Sequence, residues 1–141
     1  MLDRLIEHND RIPLTPDALT RFHSRAAPAI TVRDYLVRIT RYTNVEPCVL
    51  LILILYVDKI CERVHSFTIS SLTVHRFLIA GVAIGSKALS DTFCTNGRYA
   101  RVGGVSPAEM NLLECEFCHS IDWNLTVRRF SLLGFPSVSH H

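Results

Sequence analysis

Apolar residues recur at helical spacing between Thr31 and Asn44. Charged residues occupy one side of this stretch, and the other side carries apolar residues every three or four positions, namely Val32, Tyr35, Leu36, Ile39 and Tyr42. That spacing is typical of an amphipathic helix with one face against a core. Because Thr31 directly precedes the first apolar position and threonine is a favoured N-cap residue, we predict that the helix begins there.

The following segment is the most apolar in the chain. The run "VLLILILYV" (49–57) does not by itself distinguish a strand from a helix, but Ile60 and Val64 continue it at helical spacing. We therefore predict one buried helix from about 48 to 64. The apolar run is too short to cross a bilayer, which takes about 20 residues.

A third helix is predicted over about 71–90, capped by Ser70 or Ser71 and rich in apolar residues. Gly81 and Gly85 lie inside it, although a glycine costs about 1 kcal/mol relative to alanine within a helix. Small residues let neighbouring helices approach closely, so this segment is predicted to be the central helix of the fold.

The stretch "GGVSPAE" combines a turn with a helix start. Gly103 and Gly104 suit a turn that needs permissive backbone angles. Ser106 is a favoured N-cap, Pro107 a favoured first helical residue, and Glu109 the partner that completes a capping box. The apolar residues that follow predict a helix of about four turns.

Shorter elements complete the prediction. Residues 3–12 suggest a short amphipathic helix that ends before Pro13, and a second helical piece follows Thr15. No stretch alternates with period two for long enough to need a sheet. The predicted fold class is therefore all-α, with about five helices in the body and short N-terminal helical pieces.

Composition and charge narrow the class of protein. With 141 residues, 48% of them hydrophobic and 20% charged, the chain is large and apolar enough for one domain with a buried core. The net charge of +2 comes without a cluster of lysines and arginines, so we expect no nucleic-acid partner and, without a long apolar segment, no membrane partner.

The charged first residues do not resemble a signal peptide, so an intracellular protein with reduced thiols is expected. The pair His140-His141 is compatible with a purification-tag remnant.

The segment "CEFCH" (115–119) matches the C-x-x-C-H pattern of covalent haem attachment. Its residues alternate with predicted core positions and no targeting segment is visible, which favours two partly buried thiols beside a surface histidine. A zinc site built from Cys94, Cys115, Cys118 and His119 would have one clustered pair of ligands, whereas structural zinc usually has two. We therefore predict no metal and no cofactor. Because no nucleophile–base pair or phosphate loop is seen, we also predict no enzymatic activity.

Two opposite charges stand within apolar stretches. Lys87 follows "FLIAGVAIGS" near the end of the predicted central helix, and Glu114 lies within "MNLLECEF". Burying a charge is costly unless it is paired or used at an interface. The residues alone leave two interpretations open: an internal salt bridge or two snorkelling side chains, and an interface with another protein.

Residues 30–125, about two thirds of the chain, resemble the cyclin box. The matching segments are "ITVRDYLVRITRYTNVEP", "LYVDKI", "TVHRFLIAGVAIGSKALSD" and "NGRYARVGGVSPAEMNLLECEF", with "FHS" (22–24) shortly before them. The chain is most similar to the short single-box cyclins related to the fungal phosphate-pathway cyclins and the plant P/U-type cyclins. This resemblance implies an N-terminal helical extension over 1–29, a five-helix cyclin box over 30–125 and a C-terminal tail over 126–141.

In that family, the lysine and glutamate at the positions of Lys87 and Glu114 contact the main chain of the kinase segment that leads into its αC helix. The resemblance implies that Lys87 donates to kinase carbonyls, that Glu114 accepts from kinase amides, and that apolar contacts come from Ile84, Ala88 and Trp123. The implied function is the regulatory, activating subunit of a cyclin-dependent kinase in the cytoplasm or nucleus. The alternative is a cyclin-fold scaffold or adaptor for a partner other than a kinase.

Overall fold

The computed structural model describes residues 2–12, 20–63 and 68–121, and these residues form six α-helices and no β-strand. In chain order the helices are α1 (Leu2–Asp10), α2 (Val32–Thr43), α3 (Pro47–Arg63), α4 (Val74–Leu89), α5 (Asn96–Gly103) and α6 (Pro107–Ser120). The all-α prediction is confirmed. The helical piece predicted after Thr15 lies outside the described residues, and so does the C-terminal tail.

Helix α4 is the centre of the fold, as predicted. Twelve of its 16 residues are buried, and it packs against α2, α3, α5 and α6. It begins at Val74, later than predicted, because hydrogen bonds of the Thr73 hydroxyl compete with helix formation. This hydroxyl accepts from Ser70 N at 2.8 Å and donates to Thr68 O at 2.7 Å, which holds the preceding residues in a turn.

The two glycines of α4 lie where α3 crosses it. A Cβ placed on Gly81 would lie 2.5 Å from Leu53 Cδ2, and one placed on Gly85 would lie 3.0 Å from Val49 Cγ1. The prediction that small residues allow a close approach of neighbouring helices is therefore confirmed. The helix propensity lost at these positions is offset by burial of the α3–α4 contact.

Two predicted helix starts are confirmed by their caps. The side-chain oxygens of Thr31 and Ser106 each accept a hydrogen bond, at 3.1 Å, from the main-chain N–H three residues later. Of the two hydrogen bonds of the predicted capping box, only the one that Glu109 N donates to the Ser106 hydroxyl is present. The Glu109 carboxylate instead forms an ion pair with Arg76 on α4 and lies 3.8 Å from Arg21, so it ties α6 to α4.

Helix α5 lies directly before the predicted glycine turn, in a segment for which the sequence patterns do not predict a helix. The Thr95 hydroxyl caps its start by accepting from Arg98 N at 3.2 Å. Its end comes at Gly104, whose φ of +75° is the left-handed conformation that glycine adopts without strain. Gly103 has a different role, because it is the last residue of the helix and is buried in the packing against α4.

Helix α3 is buried along one face only, so the prediction of a buried helix is right for that face and wrong for the other. Leu51 and Ile54 are 60% and 46% exposed, and Val37 of α2 is 54% exposed. An apolar groove bounded by α1, α2 and α3 includes Val37 and Ile54. Among the described residues, the helices fall short of the length and apolarity that a membrane crossing requires.

The N-terminal helix α1 is attached to the loop before α4. Asn9 Nδ2 donates to Ile69 O at 2.7 Å, and Asp10 Oδ1 accepts from Ser71 N at 2.9 Å. Leu5, among other residues of α1, also packs against the main core. The helix is therefore held to the body by both polar and apolar contacts.

Two glycines of α5 test the packing of this helix. A Cβ on Gly103 would lie 2.5 Å from Ile79 Cγ1 and 3.1 Å from Ile79 Cβ, whereas Gly97 faces open space apart from a 3.8 Å contact with Thr95. We expect Gly103→Ala to lower the free energy of unfolding by about 1–3 kcal/mol, because the β-carbon of Ile79 is fixed to the backbone of α4. Gly97→Ala is expected to be neutral or stabilising by up to about 1 kcal/mol. Urea unfolding measures both, and equal midpoints for the two variants would contradict this packing.

Candidate functional site

Lys87 and Glu114 meet at the surface between α4 and α6. Lys87 lies in the last turn of α4 and Glu114 in the middle of α6, 27 positions further along the chain. Lys87 Nζ lies 2.9 Å from both Oε1 and Oε2 of Glu114. The two side chains are 28% and 23% exposed. The pair is therefore an internal salt bridge that a binding partner can still reach.

Asn96, the first residue of α5, joins this pair. Its Oδ1 accepts a hydrogen bond from Lys87 Nζ at 2.5 Å, and its Nδ2 donates to Glu114 Oε2 at 2.6 Å. The same Nδ2 donates to Asn111 Oδ1 at 2.7 Å. The amide orientation follows from the partners, because an ammonium group can only donate and a carboxylate can only accept. Three helices thus contribute to one polar cluster.

The position of Lys87 is also favourable for α4. A cation in the last turn of a helix interacts with the partial negative charge of the helix C-terminus. Part of the lysine is desolvated, and the carboxylate of Glu114 compensates for the hydration that is lost. The ammonium group is therefore held at a fixed point of the surface rather than extended freely into solvent.

The predicted apolar contacts have three different outcomes. Ala88 lies next to Lys87 and is partly exposed, so it is available to a partner. Ile84 is only 1% exposed, which corrects the expectation of a surface contact, because its side chain faces the core rather than the solvent. Trp123 lies outside the described residues.

Leu89, Phe93 and Asn96 were not singled out from the sequence. Leu89 is 36% exposed and Phe93 is 55% exposed, and both follow Lys87 closely in the chain. A phenylalanine among polar residues in "SDTFCT" is a visible signal for an exposed apolar contact. Asn96 gives no such signal, because polar residues are common at the first position of a helix and its three side-chain partners, Lys87, Glu114 and Asn111, come from other helices.

The "CEFCH" segment lies on α6 with its side chains on different faces. Cys115 and His119 are exposed, whereas Cys118 is buried. The thiol of Cys94 donates to Thr43 O at 3.6 Å. Within residues 2–12, 20–63 and 68–121, no group of three or more histidine, cysteine, aspartate or glutamate side chains is arranged to hold a metal ion.

Burial distinguishes the two cysteines of this segment. The pKa of the Cys118 thiol is raised to about 11, chiefly by burial and further by the nearby negative charges of Glu114 and Cys115, while Lys87 acts in the opposite direction. A thiol with such a pKa has very little of the nucleophilic thiolate form near neutral pH. Cys118 therefore behaves as an apolar core residue.

Comparisons with known proteins agree on one family. The family model described as Cyclin matches residues 4–125. The chain is 48% identical to the Nuc-1 negative regulatory protein preg of Neurospora crassa, over 89% of the chain and 26% of that protein. It is 39% identical to the PHO85 cyclin PHO80 of Saccharomyces cerevisiae, over 78% of the chain and 38% of that protein.

A plant relative extends this similarity. Cyclin-U4-1 of Arabidopsis thaliana is 37% identical, over 90% of the chain and 64% of that protein. The chain thus spans between 26% and 64% of the length of these three curated relatives. Two of these relatives are fungal and one is a plant protein, which agrees with the fungal and plant cyclins that the sequence resembles.

The contrast between Cys115 and Cys118 can be measured by thiol labelling. At pH 8, iodoacetamide should modify Cys115 in the folded protein at least a hundredfold faster than Cys118, because Cys118 is 4% exposed and its pKa of about 11 leaves little thiolate. Mass spectrometry of the digested protein gives both rates. In urea the two rates should become similar, which serves as the control. Equal rates in the folded protein would show that Cys118 is not in the core.

Proposed function

The chain belongs to the cyclin family, and from that premise we propose that it is the regulatory subunit that activates a cyclin-dependent protein kinase. The observation that carries the proposal is the Lys87–Glu114 pair, which is partly exposed and fixed between two helices. The yeast relative is by its name a cyclin of PHO85, and this supports a role as a cyclin subunit.

The chemistry of the pair suits a polypeptide main chain. An ammonium group donates hydrogen bonds and a peptide carbonyl accepts them, while a carboxylate accepts from peptide N–H groups. The first N–H groups of a helix lack partners within the helix, and its N-terminus attracts negative charge. A kinase segment that leads into a helix therefore offers carbonyls to Lys87 and unpaired N–H groups to Glu114.

Exposed apolar residues that follow Lys87 in the chain support an interface of this kind. Ala88 is partly exposed, and the side chains of Leu89 and Phe93 are accessible close to Lys87 in the chain. Covering these residues would remove water from around the charged hydrogen bonds, and such bonds are stronger than neutral ones. Phe93 is the aromatic residue that we expect to contribute most to affinity.

Activation follows from the position of the contact on the kinase. A protein kinase is active only when the glutamate of its αC helix pairs with the lysine of strand β3. A protein that binds the active placement of αC more tightly than the inactive one increases the population of the active state. The chain supplies binding energy, and the kinase performs the phosphoryl transfer. An intracellular location, cytoplasmic or nuclear, is part of this proposal because the kinase and its ATP are found there.

Charge exchange tests the proposal. In the double variant Lys87→Glu/Glu114→Lys an internal salt bridge can form again, but its donor and acceptor are presented to the partner in the wrong places. We expect the double variant to bind the kinase at least about a hundredfold more weakly than the wild type, equal to about 2.7 kcal/mol, and to lose activation of the kinase. Co-purification and a kinase activity assay measure the two effects.

A second exchanged pair provides the matched control. Glu7 and Arg11 form an exposed ion pair at 3.3 Å on the N-terminal helical segment. The variant Glu7→Arg/Arg11→Glu should bind and activate the kinase like the wild type, because surface pairs of this kind contribute little. If the Lys87/Glu114 exchange also leaves binding and activation unchanged, the proposal is wrong. Capture of a partner that is not a kinase, lost in the same exchange variant, would favour the adaptor alternative.

A further inference from the structure

We propose that the side-chain carboxamide of Asn96 occupies, in the free chain, the place that a peptide group of the partner takes on binding. The partner must then displace the Asn96 side chain in order to bind, and the cost of this displacement lowers the affinity of the site. The inference rests on the proposed function, because it concerns the same Lys87–Glu114 pair.

The donors of Lys87 are fully used within the chain. An ammonium group has three N–H bonds, and Lys87 Nζ has three acceptors: Asn96 Oδ1 at 2.5 Å and the two oxygens of Glu114 at 2.9 Å. Oε2 of Glu114 also receives a hydrogen bond from Asn96 at 2.6 Å. A carbonyl of the partner must therefore replace one of these acceptors before Lys87 can bind it.

Asn96 is the acceptor that is easiest to replace. Its carboxamide carries the same C=O and N–H groups as a peptide bond, and it offers the C=O to Lys87 and the N–H to Glu114. A partner peptide group would make the same two kinds of bond. Displacing a neutral amide costs less than separating Lys87 from Glu114, because hydrogen bonds between oppositely charged groups are the stronger ones.

The position of Asn96 allows it to leave without a change of fold. Its main chain is held at the start of α5, where Thr95 caps the helix. Release therefore needs only rotation of the side chain. Asn111, which is exposed on α6, already accepts from Asn96 Nδ2 at 2.7 Å and offers the released carboxamide a partner away from Lys87.

Removal of this side chain should strengthen binding. In Asn96→Ala the two direct bonds between Lys87 and Glu114 remain, so the pair stays aligned, but one donor of Lys87 and part of Glu114 Oε2 become free. We expect the affinity for the kinase to rise about three- to tenfold. Tenfold corresponds to about 1.4 kcal/mol, which is the net contribution of about one displaced hydrogen bond.

Calorimetric titration of the kinase with wild type, Asn96→Ala and Gly97→Ala tests this. Gly97 is the neighbour of Asn96 in α5 and its added Cβ meets only a 3.8 Å contact, so Gly97→Ala should bind like the wild type. Tighter binding by Asn96→Ala alone supports the inference. Equal or weaker binding by Asn96→Ala, with wild-type binding intact, overturns the inference and leaves the proposed function standing. If Asn96→Ala proves unstable in thermal unfolding, Asn96→Ser replaces it, because a serine side chain is too short to reach both partners.

A kinase-free measurement separates failure of the inference from failure of the proposed function. N-methylacetamide, which carries a single peptide group, is titrated into both proteins while the ammonium signal of Lys87 is followed by nitrogen-15 NMR. A shift that is larger in Asn96→Ala than in the wild type supports displacement even if no kinase binds either protein. Equal shifts in the two proteins, when no kinase binds, overturn the inference together with the proposed function.

Discussion

The close approach of α3 and α6 to α4 determines the relative position of Lys87 and Glu114. Gly81 makes this approach possible, because any side chain there would meet Leu53 of α3 on one side and Phe117 of α6 on the other, at 2.5 and 3.4 Å from its Cβ. The ring of Phe117 then packs against Tyr56 and Phe77, with centroids 5.1 and 5.2 Å away. Glu114 lies one turn before Phe117 on α6, so the packing that fixes the phenylalanine also fixes the distance from Glu114 to Lys87 on α4.

A polar site on such a frame differs from one on a loop. Lys87 is carried by the most buried helix of the described chain, and Glu114 by a helix whose start is capped by Ser106 and tied to Arg76 through Glu109. The backbone of neither residue has to be ordered when a partner arrives, so less conformational entropy is lost on binding. What remains adjustable is the set of side chains at the surface, in which the neutral Asn96 bonds to both charged groups. Rigid helices with one exchangeable amide would let the site keep its geometry and still change its hydrogen-bond partners.

Local patterns in the sequence were enough to predict much of the fold and the two charged residues of the candidate site. The caps at Thr31 and Ser106 and the spacing of apolar residues predict α2 and α6, and two charges in apolar stretches single out Lys87 and Glu114. Helix α5 has eight residues, about two turns, which is too short for a periodic pattern to be recognised. The exposed face of α3, the burial of Ile84 and the contacts of Asn96 depend on which neighbours cover a surface, and that is a property of tertiary packing.

The two interpretations of Lys87 and Glu114 that the sequence leaves open do not exclude each other. Before a partner binds, partly desolvated charges need compensation, and each supplies it for the other at 2.9 Å. If both side chains were sealed in the core, no partner could reach them, and if both were fully exposed, the pair would contribute little to either stability or recognition. Exposures of 28% and 23% lie between these limits. The internal salt bridge is thus the condition under which the proposed binding site of two opposite charges can persist in the free protein. In that proposal, the neutral Asn96 completes the site and is the member that a partner exchanges most easily.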